Sequence, residues 1–325
     1  MPKARIRSRL VGRLGAYRRV LELAEALARA PRKPGAPTIV STFAGIGGSS
    51  LGYASAGYRE LLAVEWNEGA AATFRRNFPG VPVHLGDIAA LEGREALRLA
   101  GIAPGELDVL DGSPPCQGFS TAGRFIVSDP RNRLFEEFVR LLEAFRPRAM
   151  VMENVAGMAK GGMKAVFAEA LGALREAGYA VRCWLLNAAR YGVPQARERV
   201  IFIGAREDLG VDPTPPPPTV PFAARDAVEG LVATRSQRIN PWIPATGPAA
   251  TVCKSSGGYR GKFPDGERSL TVAEAAALTS FPAGFAFEGT DRAKWAGIGN
   301  SVPPLLMKAV AGHLAETILE LKDEN

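Results

Sequence analysis

Between Thr38 and Gly204 the chain alternates short apolar runs with helical patterns, and no other feature restricts its fold as much. The runs cover residues 38–43, 61–64, 83–85, 107–110, 149–152, 180–186 and 199–204. Repeated strand-helix units argue for an α/β fold, a doubly wound sheet with helices on both faces. The pattern stops at Asp212, where residues 213–221 include the consecutive prolines Pro215, Pro216, Pro217 and Pro218. Such a segment is stiff and leaves the domain as polyproline. Residues 222–267 are short of periodicity and rich in Gly, Pro, Ser and Thr, so they read as a small irregular second domain that does not fold alone. Helical patterning resumes at 271–279 and 303–321, and the last helix is expected to return to the first domain. A length of 325 residues, beyond the size at which single cores stop growing, agrees with one large and one small unit.

Charge is distributed unevenly. Residues 1–33 hold ten Lys or Arg against Glu22 and Glu25, more than the whole chain's net charge of +7. Leu10, Leu14, Tyr17, Leu21 and Ala24 recur at helical spacing, so residues 9–30 form an amphipathic helix, followed by a Pro/Gly linker at 31–37. A phosphate-contacting arm and a solvated surface helix explain it equally well. Three cysteines without close spacing exclude a disulfide scaffold and fit a reducing compartment, and two histidines leave no zinc cluster. No apolar run reaches the roughly 20 residues of a membrane span, and the basic N-terminus lacks a secretory apolar core, so the chain reads as soluble.

Two constellations carry chemistry. The first strand runs into Gly45, Gly47 and Gly48, a nucleotide-type loop, with Ser50 where the dinucleotide fingerprint has its third glycine. Glu65, at the end of the second strand, is placed to bind ribose hydroxyls, and Trp66 to stack on an adenine. Asp87 and Ile88 follow the third strand. An acid-rich pocket without an arginine cluster suits a nucleoside without phosphates, so S-adenosylmethionine fits better than NAD. In the second constellation, Pro114 and Pro115 present Cys116 where the fourth strand breaks into a loop. Taken alone, a buried small hydrophobe and a nucleophile are equally good readings of that thiol. Cys183 and Cys253 read as core packing. Arg235, Arg238, Lys254, Arg260 and Lys262, interleaved with Trp242 and Tyr259 and free of acids, suit nucleic acid.

These motifs continue with Glu153-Asn154-Val155, Gln195-Ala196-Arg197-Glu198-Arg199 and Gly299-Asn300-Ser301-Val302-Pro303, in that order along the chain. Over residues 38–322 the sequence resembles the cytosine-5 DNA methyltransferase family. The resemblance implies a Rossmann-like, mostly parallel sheet of the class I methyltransferase kind. It also implies methyl transfer from S-adenosylmethionine to cytosine carbon 5 of a base flipped out of DNA. By that resemblance Cys116 is the thiolate that adds to carbon 6, and Glu153, protonated through burial, supports ring nitrogen 3. Arg197 and Arg199 contact the base carbonyl or stabilise the thiolate. A free thiol of pKa about 8.5 is only slightly ionised at neutral pH and needs such help. Residues 117–133 would form the lid over the base, with Gln117, Ser120 and Arg124 on DNA. Phe43, Pro115, Leu134, Asn300 and Ser301 would line the cofactor pocket.

The implied organisation is a basic helical arm and linker (1–37), a catalytic and cofactor domain (38–211, completed by 268–325) and a short target-recognition domain (212–267). The arm precedes the point where simple family members begin, and the recognition domain is short. The implied partners are double-stranded DNA and a cognate restriction endonuclease, for a monomer that needs no metal and works in a prokaryotic cytoplasm, on the nucleoid. Two rivals remain at this level: a tRNA cytosine-5 methyltransferase of the same fold, and a non-catalytic nucleic-acid-binding regulator.

Overall fold

The computed structural model describes residues 2–115, 134–159, 164–236, 239–255 and 259–320. After α1 (Pro2–Arg29) come β1 (Thr38–Thr42), α2 (Gly48–Ser55), β2 (Arg59–Glu65), α3 (Glu68–Asn77), β3 (Val83–Leu85), α4 (Gly93–Ala100) and β4 (Val109–Gly112). They are followed by α5 (Leu134–Phe145), β5 (Ala149–Val155), α6 (Lys164–Glu176), β6 (Tyr179–Asn187), β7 (Gln195–Ala196) and β8 (Glu198–Arg206). Next are α7 (Ala224–Ala227), β9 (Ala233–Ser236), β10 (Ile239–Pro244), β11 (Ala249–Ala250), β12 (Arg260–Phe263) and β13 (Gly266–Ser269). The chain returns through α8 (Val272–Leu278), α9 (Asp291–Asn300) and α10 (Pro304–Leu314).

The large sheet has the order β3-β2-β1-β4-β5-β8-β6. All its strands run parallel except β8, which is antiparallel to both neighbours. Because the pleat sends successive side chains to opposite faces, Ile39, Val109 and Val151 pack with Leu306 and Val310 of α10 in one core. Val40, Leu110 and Met152 pack with Phe138 and Leu142 of α5 in the other. Covering on both faces is why these strands read as continuous apolar runs. In α5, Phe135, Phe138, Leu141, Leu142 and Phe145 share one buried stripe, each contributing about 1.5–3 kcal/mol of burial.

The fourth strand pairs two residues later than its apolar run predicts, at Val109–Gly112 instead of 107–110. Polar contacts shift it. Asp108 accepts hydrogen bonds from the Thr38 amide (2.9 Å) and hydroxyl (3.0 Å) just before the strand, while Asp111 extends it into a buried polar network.

The segment expected to be irregular folds as a four-stranded antiparallel sheet, β10-β9-β12-β13. Its strands are too short for alternation to show, although the turn joining Phe263 to Gly266 through Pro264 and Asp265 carries the usual turn residues. It is tied to the large sheet's loops by β11, whose Ala249 and Ala250 pair with Gln195 and Ala196 of β7.

The N-terminal helix is not a free arm. Tyr17, Leu21 and Ala24 are buried in the core shared with α10, Tyr17 donates its hydroxyl to the Ala277 carbonyl at 2.7 Å, and Ser55 of α2 donates to the Ala24 carbonyl at 2.8 Å. Three of its arginines are already paired with protein acids: Arg13 with Asp226, Arg18 with Glu229 and Arg29 with Glu25. Among the described residues no helix is long and apolar enough to cross a membrane.

Candidate active site

Strand order reverses between β1 and β4, the place where open α/β sheets bind ligands beyond the carboxyl ends of their strands. The ends of β3, β2, β1, β4 and β5 bring Asp87 and Ile88, Glu65 and Trp66, the glycine loop, Pro114 and Pro115, and Glu153 to one edge.

The glycine loop has two separate jobs. Gly47 caps α2 with φ 93°, a left-handed conformation at which a side chain would also strike the Phe78 ring. A Cβ on Gly48 would lie 2.4 Å from the Val302 carbonyl oxygen, so the lack of a side chain here admits the backbone after α9. Gly45 faces open space and donates its amide to Glu65 Oε2 at 2.7 Å. The other oxygen of Glu65 accepts the amides of Trp66 (3.1 Å) and Asn67 (2.8 Å). Glu65, expected to face ribose, therefore also braces the loop. Trp66 is 77% exposed, and the next residue, Asn67, caps α3 by accepting the Ala70 amide. The exposed Asp87 accepts the Ala89 amide at 3.0 Å, and Ile88 is buried behind it. Phe43 ends β1 at φ 53°, unusual for a non-glycine residue. Leu134 opens α5 against the second core. Asn300 is exposed at the end of α9, and Ser301 donates its hydroxyl to the Gly297 carbonyl at 2.8 Å.

Cys116, Gln117, Ser120, Arg124 and Arg238 lie outside the described residues. Pro114, two residues before Cys116 in the sequence, has a defined partner. Asn154, 3% exposed, donates its side-chain amide to the Pro114 carbonyl at 3.1 Å, locking the proline loop to the end of β5, where Glu153 precedes it. The sequence motif holds Asn154, but only the tertiary contact gives it this positioning role.

The sequence treats Glu153 through burial alone. The structure gives it a charged partner as well, Arg199 Nε at 2.7 Å from Oε1. Arg197 departs further from expectation. Only 1% exposed, it donates to the Val252 carbonyl (3.1 Å) and the Gly299 carbonyl (2.9 Å), so it stitches β7 to the segment after β11 and to the end of α9. Burial, and then the charge of Arg199, push its pKa down, yet a guanidinium stays protonated at neutral pH. The nearby Gln195 works in the same seam, accepting the Val252 amide at 3.0 Å and donating to the Leu278 carbonyl at 3.2 Å. Of the two arginines, Arg199 is the one beside Glu153.

Of the two remaining cysteines, both expected to pack in the core, Cys183 lies against the second core. Cys183 is half-buried on the edge strand β6, where burial pushes its thiol up. Cys253 is also half-buried and lies within electrostatic reach of Arg197. In the small sheet Arg235 and Arg260 stand directly opposite each other on β9 and β12. Arg235 lies 4.8 Å from the Trp242 ring centroid, and Lys254 and Lys262 are exposed. Among the described residues none of these four cations has an acid at ion-pair distance.

A buried polar network underlies the site. Glu60 of β2 accepts the Ser50 hydroxyl at 2.9 Å, Ser41 lies 3.5 Å from Ser50, and Tyr53 donates to Asp111 at 3.3 Å. Burial raises Asp111 well above the usual carboxylate range, with Glu60 adding to it, and burial pushes Glu60 up to about 7 against its hydrogen bonds from Ser41 and Ser50. An acid whose folded pKa is raised stabilises the fold fully below its unfolded pKa, and that contribution is lost as pH rises through the folded pKa. The shift from 4.5 to about 7 therefore corresponds to about 3 kcal/mol lost across that window. Glu60→Gln should gain stability relative to wild type by up to that amount between pH 5 and 8, read by urea unfolding. A difference independent of pH would refute the assignment.

The C-5 cytosine-specific DNA methylase model matches residues 38–235 and 222–316. The chain belongs to that family. Type II methyltransferase M1.HphI of Haemophilus parahaemolyticus is 35% identical over 84% of this chain and 85% of its own length. M.XorII of Xanthomonas oryzae is 30% identical over 87% and 85%. A solved E. coli prophage protein described as a DNA modification methyltransferase shares the fold, with a TM-score of 0.73 at 23% identity over 87% of this chain and all of its own. Membership makes this chain a DNA cytosine-5 methyltransferase, a kind of enzyme for which the family implies S-adenosylmethionine as methyl donor. In this methyltransferase α1 lies ahead of the matched segment.

Proposed function

We propose that the enzyme modifies duplex DNA as the methylating half of a restriction-modification pair, through a transient covalent bond between Cys116 and carbon 6 of a flipped cytosine. The observation that carries this reading is the Asn154–Pro114 bond, which ties the chain two residues before Cys116 to the end of β5, where Glu153 pairs with Arg199 of β8.

The cofactor cradle fits an adenosine without phosphates: a free Trp66 ring, the exposed Asp87 carboxylate, Glu65 and the open face of Gly45, with Phe43, Pro115, Leu134, Asn300 and Ser301 around it. When bound, S-adenosylmethionine supplies the electrophilic methyl group. Cys116 adds as the thiolate, opening the carbon 5–carbon 6 double bond and driving its electron pair through the ring toward nitrogen 3, where Glu153 delivers a proton or hydrogen bond. Arg199 holds the Glu153 carboxyl in position, and Arg197 holds the walls behind it. Once carbon 5 is methylated, loss of its proton restores the double bond and breaks the sulfur–carbon bond.

The small sheet, which begins in the short recognition segment 212–267 and ends at Ser269, offers the DNA surface. Like charges directly opposite across a strand pair repel, and a polyanion over Arg235 and Arg260 relieves that repulsion. Lys254, Lys262, Arg238, Gln117, Ser120 and Arg124 complete the contacts expected from the sequence.

Duplex DNA containing 5-fluorocytosine should give a complex that survives denaturation, because fluorine does not leave as the proton does. Absence of trapping would remove the covalent mechanism. Labelled methyl groups appearing in tRNA, with duplex untouched, would reverse the substrate.

A further inference from the structure

We infer that α1 is an intramolecular brace for the recognition segment, and that Arg13 is the residue through which it acts. The inference rests on the reading of residues 212–267 as the DNA-recognition segment. Arg13 Nε lies 3.0 Å from Asp226 Oδ2 in α7, the first helix of that segment. Asp226 is only 1% exposed, and among the described residues Arg13 is its one ion-pair partner. A buried carboxylate is costly unless paired, so α7 is held where the N-terminal helix can reach it.

The neighbouring contacts act the same way. Arg13 also donates to the Pro221 carbonyl at 3.2 Å, at the end of the polyproline segment. The Tyr17 ring packs 4.9 Å from the Phe222 ring, and Arg18 pairs with Glu229 at 3.4 Å. On its other side the same helix is bonded to the catalytic body. Tyr17 reaches Ala277, Ala24 receives the Ser55 hydroxyl, and Arg29 donates to the Gly284 carbonyl at 3.1 Å. One rigid helix thus spans the helix that follows the cofactor loop and the entrance of the recognition segment. Its arginines at these points face protein acids and carbonyls, so its effect on DNA runs through the position of the recognition sheet. Arg13 is a positioning residue.

The test is steady-state kinetics of the full chain on duplex DNA. Arg13→Ala is expected to raise KM for DNA about tenfold, leaving kcat and KM for S-adenosylmethionine within about twofold, with Arg13→Lys recovering most of the loss. Amide exchange over residues 223–229 should accelerate in the free Arg13→Ala enzyme. The slope of log KM against log salt should not change, whereas loss of a direct phosphate contact would lower it by about 0.9. Asp226→Asn, which keeps an acceptor for the Ala223 amide, should reproduce the KM effect and serves if Arg13→Ala folds poorly. An unchanged DNA KM in both variants, a parallel fall in kcat and cofactor affinity, or a reduced salt slope would each overturn the brace. A wild-type enzyme inactive on duplex DNA would instead defeat the substrate reading.

Discussion

Cys116→Ala should reduce methyl transfer to background, a loss on the order of a millionfold, as removal of a covalent nucleophile does elsewhere. The reason is chemical. Carbon 5 of cytosine is too weak a nucleophile to attack a methyl sulfonium until something adds to carbon 6, and neither described thiol lies at the end of β4. Cys183 sits on the edge strand β6 and Cys253 beside Arg197. The variant should keep its affinity for DNA and for S-adenosylmethionine, measured by titration, because the cradle and the small sheet do not depend on the thiol. It should form no covalent complex with 5-fluorocytosine DNA. Residual turnover within a hundredfold of wild type would mean that Cys116 is not the nucleophile.

Glu153→Gln should lower kcat by roughly 10²–10⁴, the usual worth of a general acid, with KM for DNA and cofactor nearly unchanged. Glutamine keeps an oxygen to accept from Arg199 Nε, which stands 2.7 Å from the Glu153 carboxyl, so the seam should hold. What it cannot do is deliver a proton to ring nitrogen 3 as negative charge arrives there. Single-turnover rates isolate that step. A loss smaller than tenfold would assign Glu153 to structure alone.

Much of this was legible in the chain because sheet edges collect what strands end in. The glycine loop, Glu65-Trp66, Asp87-Ile88, Pro114-Pro115 and Glu153 each follow an apolar run, and a parallel sheet necessarily gathers those ends. Other roles were hidden because they arise between distant segments. Gly48 reads as a ligand contact, and its second role, making room for Val302, shows only in the fold. Arg197 belongs to the motif with Arg199, but one is buried on carbonyls and the other faces Glu153. Antiparallel pairing between strands of four to six residues left no periodicity by which to recognise the small sheet.

The sequence by itself determined the class of fold, the family and the residue types at the reacting edge, since those depend on local periodicity and on motifs a few residues long. Tertiary structure alone decided where the basic N-terminal helix packs. Its charge pattern suits DNA or solvent equally well, and only the approach of Asp226, a buried acid far along the chain, ties Arg13 to residues 212–267.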